Sequence, residues 1–278
     1  MITKNNLMSF TINYHPKFDS DEVRGVDVEP RPWNLLETII CYSDKSKKML
    51  DVGCGTGYKL VSLLPYFKEI VAVDCNDAML KVARNHSSFK GKENIKFLKR
   101  NAYDLNLESG YFDLVTAMLS RWTVSELHRI LKADGIVIIA SVGCRDKFDF
   151  KKYFGCNDDG LPRGQYLEFD SNTYINDIKN AFKEYFDVII IKNGFWKTAY
   201  SREGIINLMR YTPTIKNYDE NKDKSNLNLA LKKLAAKNSP GKIILEQNRI
   251  LIIAKKKKVI NKYPVSKQKS IPGQWLST

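Results

Sequence analysis

Three glycines separated by single residues follow a short apolar segment. The segment Met49-Leu50-Asp51-Val52 leads directly into Gly53-Cys54-Gly55-Thr56-Gly57. Glycine at such a turn lets the chain reverse tightly, lets a ligand approach the backbone, or lets a helix pack closely on a strand. The spacing G-x-G-x-G differs from the G-x-G-x-x-G of dinucleotide-binding folds, and the Gly-Lys-Ser/Thr of phosphate-binding loops is missing. The turn predicts a ligand site and disfavours a pyrophosphate as the ligand.

A carboxylate ends the next strand-like segment. Asp74 follows the apolar run 70–73 and lies 17 residues beyond Gly57. An acidic side chain at this position can accept two charge-assisted hydrogen bonds from ribose hydroxyls. Because ligands of open α/β sheets bind at the carboxyl ends of the strands, we expect the glycine turn and Asp74 at the same edge of one sheet.

The elements that position these residues alternate between strand and helix. This alternation is typical of repeated βαβ units and predicts a mostly parallel sheet with helices on both faces. The predicted strands cover 49–52, 70–73, 95–98, 112–116 and 136–141. The predicted helices cover 32–42, 60–67 and 125–132, and a further helix is predicted to begin at Asp77 as its N-cap. A long loop (143–170), a helix (173–185), a strand (188–191) and a terminal hairpin over 242–254, with Asn248 as one candidate turn residue, are predicted after them.

Over residues 33–142 the sequence resembles the class I S-adenosylmethionine-dependent methyltransferases. The matching segments are LDVGCGTG (50–57), VAVDCNDAML (71–80), FDLV (112–115) and LHRILKADG (127–135). The resemblance implies an α/β, Rossmann-like fold with a seven-stranded, mostly parallel sheet, helices on both faces and a terminal β-hairpin, plus a helical insertion before the last strand. It also implies S-adenosyl-L-methionine as methyl donor and S-adenosyl-L-homocysteine as product.

The same resemblance assigns the donor-binding residues. In that family the glycine turn holds the methionine portion and the acid after the second strand holds the ribose, with the adenine here between Cys75 and the Asn101-Ala102 turn. Many relatives have Asp-Ala where this chain has Asn101-Ala102, and Asn can still accept a hydrogen bond from the adenine amino group. The residues implied are Asp51, Gly53, Cys54, Gly55, Gly57, Asp74, Cys75, Asn101 and Ala102.

The methyl acceptor must be bound by segments that can cover the donor. Methyl transfer from a sulfonium is an in-line displacement, in which the enzyme mostly positions the reactants and removes water. The candidate residues on the acceptor side are Tyr14 and His15 in the N-terminal segment, Arg121 after the fourth strand, and Tyr166 in the long loop. For each of them an ordinary structural role is the alternative, and no catalytic residue is assigned.

The charge of the chain bears on the class of acceptor. The formal net charge is +14, and seven lysines in residues 255–278 supply half of it. The compact layout and the insertion favour O- or N-methylation of a small polar or aromatic metabolite. One alternative is an RNA methyltransferase that uses the basic tail (Lys255 to Lys269) on phosphates. Another is a non-catalytic regulator that binds S-adenosylmethionine.

Other classes of protein are disfavoured by composition. The five cysteines and three histidines are scattered, which argues against a disulfide framework and a metal site. A secretory signal and an apolar run of about 20 residues are both missing, so we expect a soluble, cytoplasmic protein. We predict an N-terminal arm or lid at 1–32, a methyltransferase domain at 33–254 that includes a helical substrate-side insertion at 195–238, and a basic tail at 255–278.

Overall fold

A computed structural model describes residues 14–18, 20–235 and 241–257. The strands are β1 (Val26–Asp27), β2 (Asp44–Val52), β3 (Phe67–Asp74), β4 (Ile95–Lys99), β5 (Phe112–Met118), β6 (Leu131–Val142), β7 (Phe186–Tyr200) and β8 (Ile243–Lys256). The α-helices are α1 (Leu35–Ile40), α2 (Asp77–Asn85), α3 (Val124–Ile130), α4 (Phe148–Lys151), α5 (Ser171–Phe182), α6 (Arg202–Tyr211) and α7 (Lys224–Ala235). A 3₁₀ helix over Tyr58–Tyr66 follows the glycine turn.

All the strands belong to one sheet in the order β1-β7-β8-β6-β5-β2-β3-β4. Strands β2 to β6 pair in parallel, whereas β8, β7 and β1 add to the β6 edge as antiparallel strands. The predicted Rossmann-like fold class is confirmed, with eight strands rather than seven because the two-residue strand β1 extends the β7 edge. The strand order reverses at β2, and this reversal opens a crevice at the carboxyl ends of β2 and β5.

Two apolar cores cover the faces of the sheet. Successive side chains of a strand point to opposite faces, so Leu50 and Val52 join one core while Met49 joins the other. Helices α3 and α5 pack on the first face, and α1 and the 3₁₀ helix pack on the second. The turn residues are thereby fixed between two packed layers.

Short polar side chains start the helices next to the crevice. The Oδ1 atom of Asn76 accepts hydrogen bonds from the backbone N–H groups of Ala78 and Met79, so Asn76 is the N-cap of α2. The prediction that placed the cap at Asp77 is wrong by one residue. Thr123 caps α3 in the same way.

The predicted turn at Asn248 is wrong. Strand β8 is continuous, and Asn248 is fully buried in its middle. The side chain is satisfied there, because Nδ2 donates to the Gly194 carbonyl (3.1 Å) and Oδ1 accepts from the Arg145 backbone N–H (3.1 Å). A polar residue inside an apolar strand therefore marks side-chain hydrogen bonding here and not a reversal of the chain.

The helical insertion starts later than predicted. Residues 195–200 continue β7, and the helices α6 and α7 lie between β7 and β8 around a third apolar core. The Lys-Asn-Gly sequence at 192–194 resembles a strand end, but a Cβ on Gly194 would lie 2.4 Å from Pro32 Cγ and Trp33 Cζ3. Gly194 thus admits the N-terminal segment against the strand. Lys255 and Lys256 of the predicted tail belong to β8, and residues 258–278 lie outside the described residues.

Candidate functional site

The glycine turn after β2 adopts a backbone shape that side chains disfavour. Gly53, Gly55 and Gly57 have φ values of 74°, 56° and 74°, all in the left-handed region. A Cβ on Gly53 would lie 2.1 Å from Ser120 Cβ. The backbone N–H groups of Gly53 and Cys54 both donate to the Val73 carbonyl, at 2.8 and 2.9 Å. The turn is therefore held by β3 and packed closely against the residues that follow β5.

The carboxylate of Asp74 lies beside this turn, at the end of β3. Its Oδ2 accepts a hydrogen bond from the Gly55 backbone N–H and its Oδ1 accepts one from the Asn76 N–H, both at 2.8 Å. A carboxylate has about four acceptor positions, so each oxygen retains capacity for a ligand hydroxyl. The two N–H groups fix the orientation of the carboxylate beside the turn.

A second acid, Asp51, is buried at the end of β2. The Thr116 hydroxyl donates to Asp51 Oδ1 at 2.6 Å, yet burial raises the pKa of Asp51 to about 7. Burial and the carboxylates of Asp51 and Asp74 also raise the pKa of Cys54 well above its usual value. Cys54 is therefore a thiol at neutral pH and not a nucleophilic thiolate.

One cavity of about 1310 Å³ joins most of the predicted site residues. Its walls include Asp51, Gly53, Cys54, Gly55, Asp74, Cys75, Asn101 and Ala102 on the predicted donor side, and Tyr14, Arg121 and Tyr166 on the predicted acceptor side. Two predicted residues are not in the walls. Gly57 caps the 3₁₀ helix and faces Phe97, and the ring of His15 stacks on Tyr211 with a centroid distance of 4.7 Å.

The phenols that line the cavity are desolvated. Burial raises the pKa of Tyr14 to about 12 and that of Tyr166 well above its usual value. Both side chains stay protonated at neutral pH and can donate hydrogen bonds. At the predicted adenine position, Asn101 Oδ1 accepts from the Tyr103 backbone N–H at 3.0 Å.

Sequence reasoning missed a buried cluster of charges in the walls of the same cavity. Asp146 accepts hydrogen bonds from Lys147 Nζ (3.0 Å) and from Arg249 Nη1, and Lys151 Nζ lies 3.7 Å from its Oδ2. Asp146, Lys147 and Arg249 line the cavity, together with Trp196, Tyr200 and Gln247. Neighbouring cations hold the pKa of the Asp146 carboxyl far below its usual range, although burial opposes this.

A signal for this cluster exists in the sequence. Gln247, Asn248 and Arg249 interrupt an otherwise apolar segment, and the prediction took Gln247 and Asn248 as the turn of a hairpin and Arg249 as the start of its second strand. Three adjacent polar residues inside a strand that is buried on both faces indicate a polar cavity or a hydrogen-bond network. The partners of Arg249 could not be found this way, because Asp146 lies 103 positions earlier in the chain.

Comparison with known proteins places this geometry in a family. Residues 50–139 match the methyltransferase domain family, and they contain the end of β2, the glycine turn, Asp74 and most of β6. Residues 50–139 form a class I S-adenosylmethionine-dependent methyltransferase domain. The recognition made from the motifs is confirmed, and so is S-adenosylmethionine as the donor of this class.

Individual relatives cover the methyltransferase domain and parts of its surroundings. The chain is 31% identical over 108 residues to the uncharacterized methyltransferase YcgJ of Bacillus subtilis, covering 36% of this chain and 42% of that protein. It is 26% identical over 160 residues to the demethylmenaquinone methyltransferase of Geobacillus stearothermophilus, covering 54% and 61%. The chain therefore spans less than two thirds of either curated relative.

The fold has a solved counterpart. The crystal structure of YcgJ superposes with a TM-score of 0.55 at 19% identity, covering 81% of this chain and 98% of that one. Within residues 14–18, 20–235 and 241–257, no helix is long and apolar enough to cross a membrane. Over the same ranges, His, Cys, Asp and Glu side chains form no group of three or more that could hold a metal ion.

Proposed function

We propose that this protein transfers a methyl group from S-adenosylmethionine to an oxygen or nitrogen atom of a small polar or aromatic metabolite. The observation that carries the proposal is one cavity of about 1310 Å³ whose walls contain both the glycine turn with Asp74, here called the donor end, and the aromatic and charged side chains around Asp146, here called the acceptor end. A cavity of this size is larger than a typical pocket for one drug-sized ligand, which is about 300–1,000 Å³. Donor and small acceptor can therefore share one cavity.

The residues at the first end fit the donor chemically. Asp74 offers a fixed carboxylate to the ribose hydroxyls, and the left-handed glycines 53 and 55 leave the backbone open to the methionine portion. Asp51 offers a buried carboxyl group on the same side, and Cys75, Asn101 and Ala102 are proposed to flank the adenine. When bound, S-adenosylmethionine supplies an electrophilic methyl group on a sulfonium.

The chain itself contributes positioning and the exclusion of water. Phe18 of the N-terminal segment lies over the turn, with its ring 3.5 Å from the place where a Cβ on Gly55 would be. Tyr14 also lines the cavity, so the segment covers donor and acceptor sides together. This supports a lid role for the N-terminal segment. Tyr14 and Tyr166, protonated at neutral pH, orient an acceptor by donating hydrogen bonds and do not act as bases.

The relatives support a small-molecule acceptor. One of them is named for a quinone precursor, demethylmenaquinone. In the described part of the basic tail, Lys255 pairs with Asp134 (2.9 Å) and Lys257 with Asp187 (3.6 Å). These lysines have acidic partners and do not favour the RNA alternative.

The proposal is tested by binding and turnover with the full chain. Calorimetry with S-adenosylhomocysteine measures donor-site binding, and mass spectrometry measures its production from S-adenosylmethionine in the presence of fractionated metabolites or RNA. Turnover with a metabolite fraction supports the proposal. Turnover only with RNA favours the RNA alternative, and binding without any turnover favours the non-catalytic regulator. Absence of S-adenosylhomocysteine binding contradicts all three.

A further inference from the structure

We infer that the acceptor end of the cavity is an anion site, in which Lys147 and Arg249 hold a carboxylate or phosphate group of the methyl acceptor. The inference rests on the proposed function only where it identifies the bound anion as part of the methyl acceptor. The anion site itself rests on the cluster around Asp146. This cluster consists of Asp146, Lys147, Lys151, Arg249 and Gln247. It specifies the substrate class: a small metabolite with an acidic group remote from the methylated atom.

The cluster contains more positive than negative charge. Three cations, Lys147, Lys151 and Arg249, surround the single carboxylate of Asp146 within 3.7 Å, and their side chains are 6%, 1% and 16% exposed. Buried charges are costly unless paired. The carboxylate of Asp146 balances the charge of one of these cations, so a bound anion would balance part of the remaining positive charge.

Asp27 on the neighbouring strand β1 does not supply the missing charge. Asp27 also lines the cavity, but it accepts hydrogen bonds from Arg31 (2.6 Å), Thr198 (2.7 Å) and Trp196 (3.0 Å). Its charge is thus matched by the guanidinium of Arg31. Burial lowers the pKa values of Lys147 and Lys151, the Asp146 carboxylate opposes this shift, and the neighbouring cations add to it.

The cations of the cluster keep hydrogen-bond donors that a ligand can use. Arg249 Nη1 donates to Asp146 Oδ1 and to the Asn248 carbonyl (2.8 Å). Within the described ranges, Nε and Nη2 of Arg249 have no hydrogen-bond acceptor. Lys147 Nζ donates to Asp146 Oδ2 (3.0 Å) and to Gln247 Oε1 (2.8 Å), which leaves one of its three hydrogens. A guanidinium fork with a neighbouring ammonium suits a planar carboxylate or a phosphate.

The chain keeps Lys147 in an unfavourable conformation to place it there. Its φ and ψ are 50° and 33°, the left-handed region that residues with a Cβ disfavour. Its backbone N–H donates to the Glu246 carbonyl at 2.8 Å, which ties the loop to β8 and puts the ammonium next to Arg249. Trp196, whose ring lies 5.6 Å from the Arg249 guanidinium, forms the adjoining wall. An acidic group at the cluster would thus lie beside an aromatic surface.

The test titrates the full chain with sodium phosphate and, separately, with sodium acetate, at constant ionic strength maintained with sodium chloride. Calorimetry is the readout, and neither the donor nor turnover is needed. We expect saturable binding of one anion per chain. Tighter binding of phosphate than of acetate indicates a phosphorylated acceptor, and the reverse order indicates a carboxylic acid.

Variants locate the site. Lys147→Met keeps the length of the side chain and removes its charge, and we expect at least about tenfold weaker anion binding, since a charged hydrogen bond is lost. Arg249→Lys, which keeps the charge but loses the fork, should weaken binding as well and serves if Lys147→Met is poorly folded. The matched control is Lys152→Met, which removes an exposed lysine that pairs with Asp149 of α4 and should bind the anion like the wild type.

The inference is overturned if neither anion binds saturably, or if Lys147→Met and Arg249→Lys bind as tightly as the wild type. These outcomes are independent of the proposed function. A chain that binds S-adenosylhomocysteine but no anion remains a methyltransferase candidate with an uncharged acceptor. A chain that binds the anion but no S-adenosylhomocysteine keeps the anion site and loses the proposed donor.

Discussion

The two ends of the cavity are built in different ways. The donor end uses residues that are close in the sequence, and backbone groups hold it: the Gly53 and Cys54 N–H groups bind the Val73 carbonyl, and the Gly55 N–H binds Asp74. The acceptor end uses side chains from distant segments, with Asp146 and Arg249 joined 103 positions apart. A backbone-built site depends on glycines and a turn, whereas a side-chain-built site depends on the balance of buried charge. Substitutions should therefore affect the two ends differently.

The largest effect is expected at the acceptor end, from Asp146→Ala. This change leaves Lys147, Lys151 and Arg249 buried without a carboxylate. Removing one partner of a buried ion network costs about 3–5 kcal/mol, and we expect a loss of this size in the free energy of unfolding, measured by chemical denaturation.

The control for Asp146→Ala is Asp149→Ala, three residues later. Asp149 forms a solvent-exposed pair with Lys152, and such pairs contribute about 0–1 kcal/mol. Equal, small losses for both variants would show that the buried network does not stabilise the fold. Added phosphate should restore part of the stability of Asp146→Ala, because an anion can replace the missing charge.

At the donor end, the loss of stability expected from a glycine substitution depends on the room available for the added methyl group. Gly53→Ala places a methyl group 2.1 Å from Ser120 Cβ at a φ of 74°. Gly91→Ala, at a φ of 69° with nothing within 4 Å, carries the same conformational cost without the clash. We expect a loss of about 1–2 kcal/mol for Gly91→Ala and a further ~1–3 kcal/mol for Gly53→Ala.

Thermal and chemical unfolding of the two variants measures this difference. Equal losses would mean that the turn moves away from the residues that follow β5 and accommodates the methyl group. In that case the close packing of Gly53 on Ser120 would not define the shape of the donor end.

The contrast between the two ends also explains how far the sequence predicts the molecule. The parallel strands, the turn and Asp74 follow from local patterns, because βαβ units bring consecutive strand ends to one edge. The antiparallel part does not follow in this way. The register that pairs Val142 with Arg249 brings the loop after β6 to the polar residues of β8, and no local pattern specifies a pairing across more than 100 residues. The apolar pattern at the start of β7 likewise does not predict that this strand continues past Gly194 to Tyr200.

The next-largest expected effect is a loss of affinity for the donor. Asp74→Ala removes the carboxylate proposed for the ribose and also the acceptor of the Gly55 N–H. We expect S-adenosylhomocysteine to bind about 1.5–3 kcal/mol more weakly, or about 10- to 150-fold, by calorimetry. Asp77→Ala is the control, since Asp77 also lines the cavity but is exposed and paired with Lys99. Unchanged affinity in Asp74→Ala would contradict the assignment of the ribose position.

The smallest effect is a pH dependence of donor binding that originates in Asp51. Burial raises the pKa of this carboxyl group to about 7, so it is mostly neutral at pH 6 and mostly ionised at pH 8. A cationic ammonium of the donor on this side binds the ionised form, and the affinity for S-adenosylhomocysteine should rise about tenfold from pH 6 to pH 8. Asp51→Asn should flatten this rise.

Asp51 affects the unliganded fold in the opposite direction. Its pKa in the folded chain is above the ordinary aspartate value, so the unfolded chain loses this proton first, and the contribution of Asp51 to stability falls as the pH rises from about 4 to about 7. Donor affinity that rises with pH while unliganded stability falls would identify Asp51 as the titrating group, and Asp51→Asn should remove both trends. A pH-independent affinity, or an equal slope in Asp51→Asn, would place the methionine ammonium away from Asp51 and leave Asp74 as the acid that holds the donor.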